Sequence, residues 1–194
     1  MLEVFNTLLI SATHRKGYFL TVSTESAALL GKHALETNKH FCLNLSAPFI
    51  PQFFKKDLDS LEPYWDVIFG NETEAGSYAE SHELPSKEPK DVALYLSSLP
   101  TTKSRMRMAV ITQGTQPTLV AFDGKVTEYA IIPVKPENVV DTTGAGDAFV
   151  GGFLAQYVQG KSVEVCVKAG HYCASVCVQR PGPTFPDEPH KFSA

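Results

Sequence analysis

Val139-Val140-Asp141-Thr142-Thr143-Gly144-Ala145-Gly146-Asp147-Ala148-Phe149 is the stretch that decides the fold, and it reads as a strand end, a tight turn and a helix start. A helix start leaves its first backbone N–H groups without intrahelical partners, and the helix dipole adds partial positive charge there. Together they make an anion site. Gly144 and Gly146 would let the backbone approach a phosphate that a Cβ would block. Asp147 then puts a carboxylate where an anion is expected. For phosphate binding alone that arrangement is repulsive. It becomes useful if the carboxylate accepts a proton from a hydroxyl attacking the phosphate. The plain alternative is that Asp147 caps a helix and the glycines turn the chain; a glycine-rich turn by itself does not separate the two.

Outward from this stretch, the chain alternates strand-like and helix-like segments. Downstream, a helix from Gly146 to Gln159 is closed by Gly160, and a second from Ser162 to Val178 is closed by a Pro-Gly-Pro turn. Upstream, Asp123-Gly124 between two apolar runs predicts one hairpin, with strands Thr118 to Phe122 and Val126 to Ile132. Met108 to Thr112 is a continuous apolar run of the kind buried in parallel sheets. His40 to Leu45 and Trp65 to Phe69 are further strand candidates. Helices are expected from Ser23, an N-cap, to about Asn38, over Asp57 to Glu62, from Asn71 to Ser81, and over Lys90 to Leu99. The pattern predicts an α/β fold with a mostly parallel sheet and helices on both faces.

Composition excludes several classes. The 194 residues are 43% hydrophobic and 20% charged, with 17 basic against 21 acidic side chains and a net charge of −4. That balance gives no electrostatic footprint for nucleic acid or an anionic membrane surface. Cys42, Cys166, Cys173 and Cys177 form no C-x-x-C pair. The last three are spaced by seven and four, on one helix face, and read as buried free thiols. The N-terminal MLEVFNTLLISATHRK is interrupted by Glu3 and Asn6 and lacks a leading positive region, unlike a signal peptide.

Secondary sites follow from position. Asn71 and Glu74 could be an N-cap with a dipole-compensating acid, or could offer oxygens toward magnesium. Thr112-Gln113-Gly114 ends a buried strand at the carboxyl edge, where open α/β sheets bind ligands; a strand-ending turn is the simpler reading. Asn44 ends another strand at that edge. His171, between Gly170 and Tyr172 on a helix, reads equally as a ligand contact or a buried, satisfied histidine.

Asp141-Thr142-Thr143-Gly144-Ala145-Gly146-Asp147-Ala148-Phe149 resembles the C-terminal signature of the ribokinase family of carbohydrate and nucleoside kinases. Longer segments are similar to its adenosine kinase branch. They are Gly17 through Ser23, Leu43 through Ile50, Phe69 through Ala75, Gly144 through Phe153, Ala169-Gly170-His171-Tyr172 and Thr184-Phe185-Pro186, in that order. The resemblance implies a ribokinase-like three-layer α/β/α sandwich and transfer of the ATP γ-phosphoryl group to the 5′-hydroxyl of adenosine. It implies Asp147 as the base, with Thr142, Gly144, Ala145 and Gly146 stabilising transition-state charge. Asn71 and Glu74 would arrange Mg²⁺, while Asn44, Thr112, Gln113, Gly114 and His171 would lie toward the nucleotide. A monomer of the cytoplasm, and also of the nucleus, is implied as well.

The resemblance starts at Gly17, so residues 1–16 are expected to be an atypical segment and 17–194 a partial ATP-binding domain, truncated at its front. The segment that binds the ribose in those kinases, and their lid, are expected to be missing, with turnover reduced accordingly. A non-catalytic nucleotide-binding fragment, or a kinase for another nucleoside or sugar, are the rival expectations.

Overall fold

The computed structural model describes residues 12–102, 104–182, 184 and 192, with the backbone alone of residues 12–15. Most of the N-terminal segment, Pro183 of the Pro-Gly-Pro turn, and Phe185-Pro186 lie outside the described residues. The chain divides into two compact units, one built from residues 1–113 and 119–128, the other from 114–118 and 129–194.

Six strands form one sheet in sequence order, β1 (Ala12–Lys16), β2 (His40–Asn44), β3 (Val67–Asn71), β4 (Met108–Gln113), β5 (Gln116–Phe122) and β6 (Lys125–Tyr129), all in the first unit except residues 116–118 and Tyr129. β1 to β4 pair in parallel, with Asn44 opposite Phe69 and Asn71 opposite Thr112. The apolar runs of β2, β3 and β4 fit strands covered on both faces. Phe41, Leu43, Ile68, Val110 and Ile111 are all buried. Each such side chain contributes roughly 1.5–3 kcal/mol by leaving water.

β4, β5 and β6 are joined by two-residue turns, which only antiparallel neighbours allow. The expected hairpin at Asp123-Gly124 is present, with φ of 51° and 68°. Positive φ at both positions is what matches the twist of the flanking strands. The single hairpin expected from the sequence is, however, one of two. Gly114-Thr115 makes the other, with Gly114 at φ 56°. The sheet is therefore parallel for four strands and a meander for the rest.

Within the segment expected to be atypical, Ala12–Lys16 pair along their length with β2. Gly17–Thr21 then form a 3₁₀ turn. The helices of this unit are α1 (Thr24–Glu36), α2 (Phe49–Phe53), α3 (Lys55–Ser60), α4 (Glu72–Ser81) and α5 (Pro89–Ser98). Ser23 caps α1 as expected, its Oγ accepting from the Ser26 N–H at 3.2 Å. Buried Ala27, Gly31 and Ala34 form the inner face of that helix.

The second unit contains α6 (Ala145–Tyr157) and α7 (Val163–Val178). Gly160, at φ 70°, ends the first, and Ser162 Oγ caps the second by accepting from the Val165 N–H at 3.4 Å. The two helices approach closely because glycine stands at the contacts. A Cβ on Gly170 would lie 2.7 Å from two ring carbons of Phe149, and one on Gly152 would lie 2.8 Å from Cys173 Sγ. Among the described residues, no helix is long and apolar enough to cross a membrane.

Candidate functional site

The glycine loop and the start of α6 belong to the second unit. Gly144 is the N-cap of α6, with φ 80° and ψ 0°, a left-handed conformation that strains any residue with a Cβ. It has no side chain to cap the helix. The Ala145 N–H donates to Thr142 O at 3.2 Å, and the Ala148 N–H to Gly144 O at 2.8 Å. At Gly146 the expectation is refined. A Cβ there would meet no atom within 4 Å, so protein packing does not require the glycine. The open space lies at an exposed helix start, where an anion could occupy it. Asp147 is exposed in the same first turn, and Thr142 is exposed just before the cap.

No strand leads into this loop. β6 ends at Tyr129, Pro136–Asn138 form a 3₁₀ turn, and Val140 is 60% exposed. The loop hangs instead on the end of α7. Val178 O accepts from the N–H groups of both Val140, at 2.8 Å, and Asp141, at 3.2 Å. Asp141 Oδ1 accepts from the Thr143 N–H at 2.8 Å, and Oδ2 from the Gly182 N–H at 3.1 Å. The Thr143 bonds, followed by that of Gly182, hold the Asp141 carboxyl below the usual carboxylate range. Sequence reading passed over Asp141 as a structural residue. The Asp-Thr-Thr-Gly order carried the signal, since aspartate folds back on the N–H two residues on.

The second set of site residues lies along the carboxyl ends of the parallel strands, in the first unit except for Gly114. Asn44 ends β2, Asn71 ends β3, and Thr112 and Gln113 end β4, with Gly114 in the following turn. The strand register thus brings Asn44, Asn71 and Thr112 to one edge. Asn71 and Glu74 form a reciprocal cap. Asn71 Oδ1 accepts from the Glu74 N–H at 2.8 Å, and Glu74 Oε2 accepts from the Asn71 N–H at 3.0 Å. Asn71 Nδ2 also donates to Glu74 Oε1 at 3.0 Å. Glu74 is buried and held in one pose. Asn44 Oδ1 closes a local turn by accepting from the Ser46 N–H at 2.9 Å. Thr112 Oγ1 donates to Gly70 O at 3.4 Å.

His171 follows the plainer of its two readings. It is buried, with Nε2 at 2.8 Å from Thr118 Oγ1 and its ring 5.4 Å from that of Phe149. Burial pushes its pKa down and favours the neutral ring. Thr118, 53 residues away in sequence, carried no signal of this pairing. The cysteines are free thiols as expected, buried at Cys42, Cys166 and Cys177 and partly so at Cys173.

Among the described residues, no group of three or more His, Cys, Asp or Glu side chains could hold a metal. Magnesium is commonly held by one or two carboxylates, with waters and substrate phosphates completing the set. The immobilised Glu74 carboxylate at the sheet edge fits that mode.

A helix start open to an anion, with a carboxylate in its first turn, is a feature of the second unit, and parallel strands ending in polar side chains are a feature of the first; each is a place where α/β proteins commonly take ligands. The chain belongs to the pfkB family of carbohydrate kinases, matching it over residues 4–191. It is 51% identical over 174 residues to adenosine kinase 2 of Arabidopsis thaliana, across 89% of this chain and 50% of that enzyme. Its fold matches Anopheles gambiae adenosine kinase in complex with P1,P4-di(adenosine-5) tetraphosphate, with a TM-score of 0.85 and 41% identity, covering 90% of this chain and 54% of that one. Schistosoma mansoni adenosine kinase in complex with adenosine and AMP gives a TM-score of 0.84 at 34% identity, covering 91% and 53%. The chain spans about half the length of the curated relatives it matches.

Proposed function

We propose that this chain carries the nucleotide-handling part of an adenosine kinase, transferring the γ-phosphoryl group of ATP to the 5′-hydroxyl of adenosine to form AMP. The start of α6 is the observation that carries the reading: left-handed Gly144, open space at Gly146, and an exposed carboxylate at Asp147. In this reading Asp147 accepts the proton of the attacking hydroxyl. The backbone around Thr142, Gly144, Ala145 and Gly146 receives the negative charge that gathers on the transferred group. Family resemblance assigns Asn44, Thr112, Gln113 and Gly114, at the strand ends, to contact with the nucleotide. His171, bonded to Thr118, supports the site from the core rather than touching ligand.

Magnesium would be held through Glu74, positioned by Asn71, with water between carboxylate and ion; when bound it neutralises phosphate charge. The same reading carries a monomeric state and a cytoplasmic and nuclear location, which rest on family resemblance alone. A chain that binds nucleotide without turnover is the second reading.

Calorimetry on the folded 194-residue chain tests the assignment. Mg-ATP should bind, and bind more tightly than adenosine. Adenosine binding above ATP would overturn this division, and absence of nucleotide binding would overturn the phosphate site. AMP formation separates the two readings.

A further inference from the structure

The last turn of α7 and the turn that follows it make three kinds of contact with the glycine loop. Val178 O accepts from the Val140 and Asp141 N–H groups. The Gly182 N–H, just beyond the helix, holds Asp141 Oδ2. The third contact is a side chain: Cys177 Sγ lies 3.6 Å from Thr143 O, in position to donate its S–H. Thr143 is the residue immediately before the left-handed Gly144 cap, so its peptide sets the direction in which α6 begins. Cys177 is 8% exposed, and its neighbour Arg180 closes the helix end by donating its N–H to Cys177 O at 3.1 Å.

We propose that Cys177 is a positioning residue for the anion site, its thiol holding the Thr143 carbonyl on the last turn of α7 and so fixing where the start of α6 points. The role rests on the reading of that helix start as a phosphate site. The hydrogen bond itself does not. Burial, and then the carboxylates of Asp141 and Asp147, push the thiol pKa up, so the sulfur keeps the proton it donates. The same environment disfavours the thiolate, so the cysteine is a contact and not a nucleophile. S–H···O bonds are weak, and the loop retains its backbone bonds to Val178. The contribution is therefore an adjustment of the loop rather than a condition of folding.

Cys177→Val and Cys177→Ser separate donor from packing. Valine keeps an apolar side chain of similar size without a donor, and serine keeps a donor with a shorter reach. Should the valine variant unfold, Cys177→Ala, which adds no bulk, takes its place. Two readouts apply to the 194-residue chain: amide exchange at Val140, Asp141 and Thr143, and Mg-ATP affinity by calorimetry.

In the valine variant, exchange at those three amides should rise roughly threefold, with α7 interior amides and melting temperature unchanged. Mg-ATP affinity should fall by a similar factor, and serine should restore both. Equal loop exchange in valine variant and parent would overturn the proposal. So would a loss spread evenly over α7 that serine does not rescue, because that is a packing effect. If the parent chain binds no nucleotide, the phosphate reading fails, and the exchange data still decide whether Cys177 holds the loop.

Discussion

The Gly182 N–H donates to Asp141 Oδ2 at 3.1 Å across 41 residues of sequence, so one carboxylate ties the turn after α7 to the first residue of the glycine loop. Its other oxygen holds the Thr143 N–H. A carboxylate that accepts backbone bonds in the folded state has a depressed pKa there. Its contribution to stability is therefore present above its unfolded pKa of about 3.9 and is lost as pH falls through the lower folded value. Asp141→Asn should lower the melting temperature at pH 7, and the gap to the parent chain should close as the solution is acidified below pH ~4. A gap that stays constant down the acid limb would mean the carboxylate charge plays no part in the clamp.

His171 gives a pH dependence in a different range. Burial lowers its pKa, so the unfolded chain takes up a proton first as pH falls below about 6.5. Stability is full above that value and declines as pH drops toward the folded pKa. His171→Gln keeps a polar group near Thr118 but cannot titrate, so its melting temperature should change less between pH 7 and pH ~5 than that of the parent. Identical profiles for the two chains would show that His171 is solvated rather than buried against Phe149.

Much of this was legible because the signals were local. Ser23 caps α1, Asn71 and Glu74 cap α4, Asp123-Gly124 turns a hairpin, and Gly144 opens α6, all within four residues of sequence. The misreadings came where a distant partner decides. Val139-Val140 has the composition of a strand, but Val140 and Asp141 donate to Val178 O and Val140 is left exposed. Thr112-Gln113-Gly114 reads as a ligand edge or a strand-ending turn, but its sequence does not show that the turn closes a hairpin, which depends on β5 returning along β4. Nothing in the sequence around Thr118 or Gly182 names the partners they find in His171 and Asp141.

Two glycine substitutions should separate packing from ligand binding. Gly170→Ala pushes a methyl to 2.7 Å from the Phe149 ring inside the α6–α7 contact, an overpacking that should destabilise the chain by about 1–3 kcal/mol. Gly146→Ala meets no protein atom, and alanine in a helix is favoured over glycine by about 0.5–1 kcal/mol. It should therefore melt at or above the parent temperature while binding Mg-ATP less well. If Gly146→Ala binds as the parent does, the space above the helix start is not where phosphate sits.

Asp147 is the sharpest test of the chemistry. Its carboxylate stands in the first turn of α6, where the helix end would otherwise favour an anion from solution. A group there that only stabilised the helix would be replaceable by asparagine at a cost of a few tenths of a kcal/mol, up to about 1. A group that takes the proton of an attacking hydroxyl is not, because asparagine accepts no proton. In a chain completed to the length of its relatives, Asp147→Asn should reduce AMP formation by at least ~10²-fold, the scale of general base catalysis. Mg-ATP affinity should hold or improve, since a negative charge beside the phosphates is gone. Both quantities come from one preparation, by coupled assay and calorimetry. Turnover surviving within about tenfold, a difference of only ~1.4 kcal/mol in barrier, would reduce Asp147 to a helix-start residue and send the search for the base elsewhere.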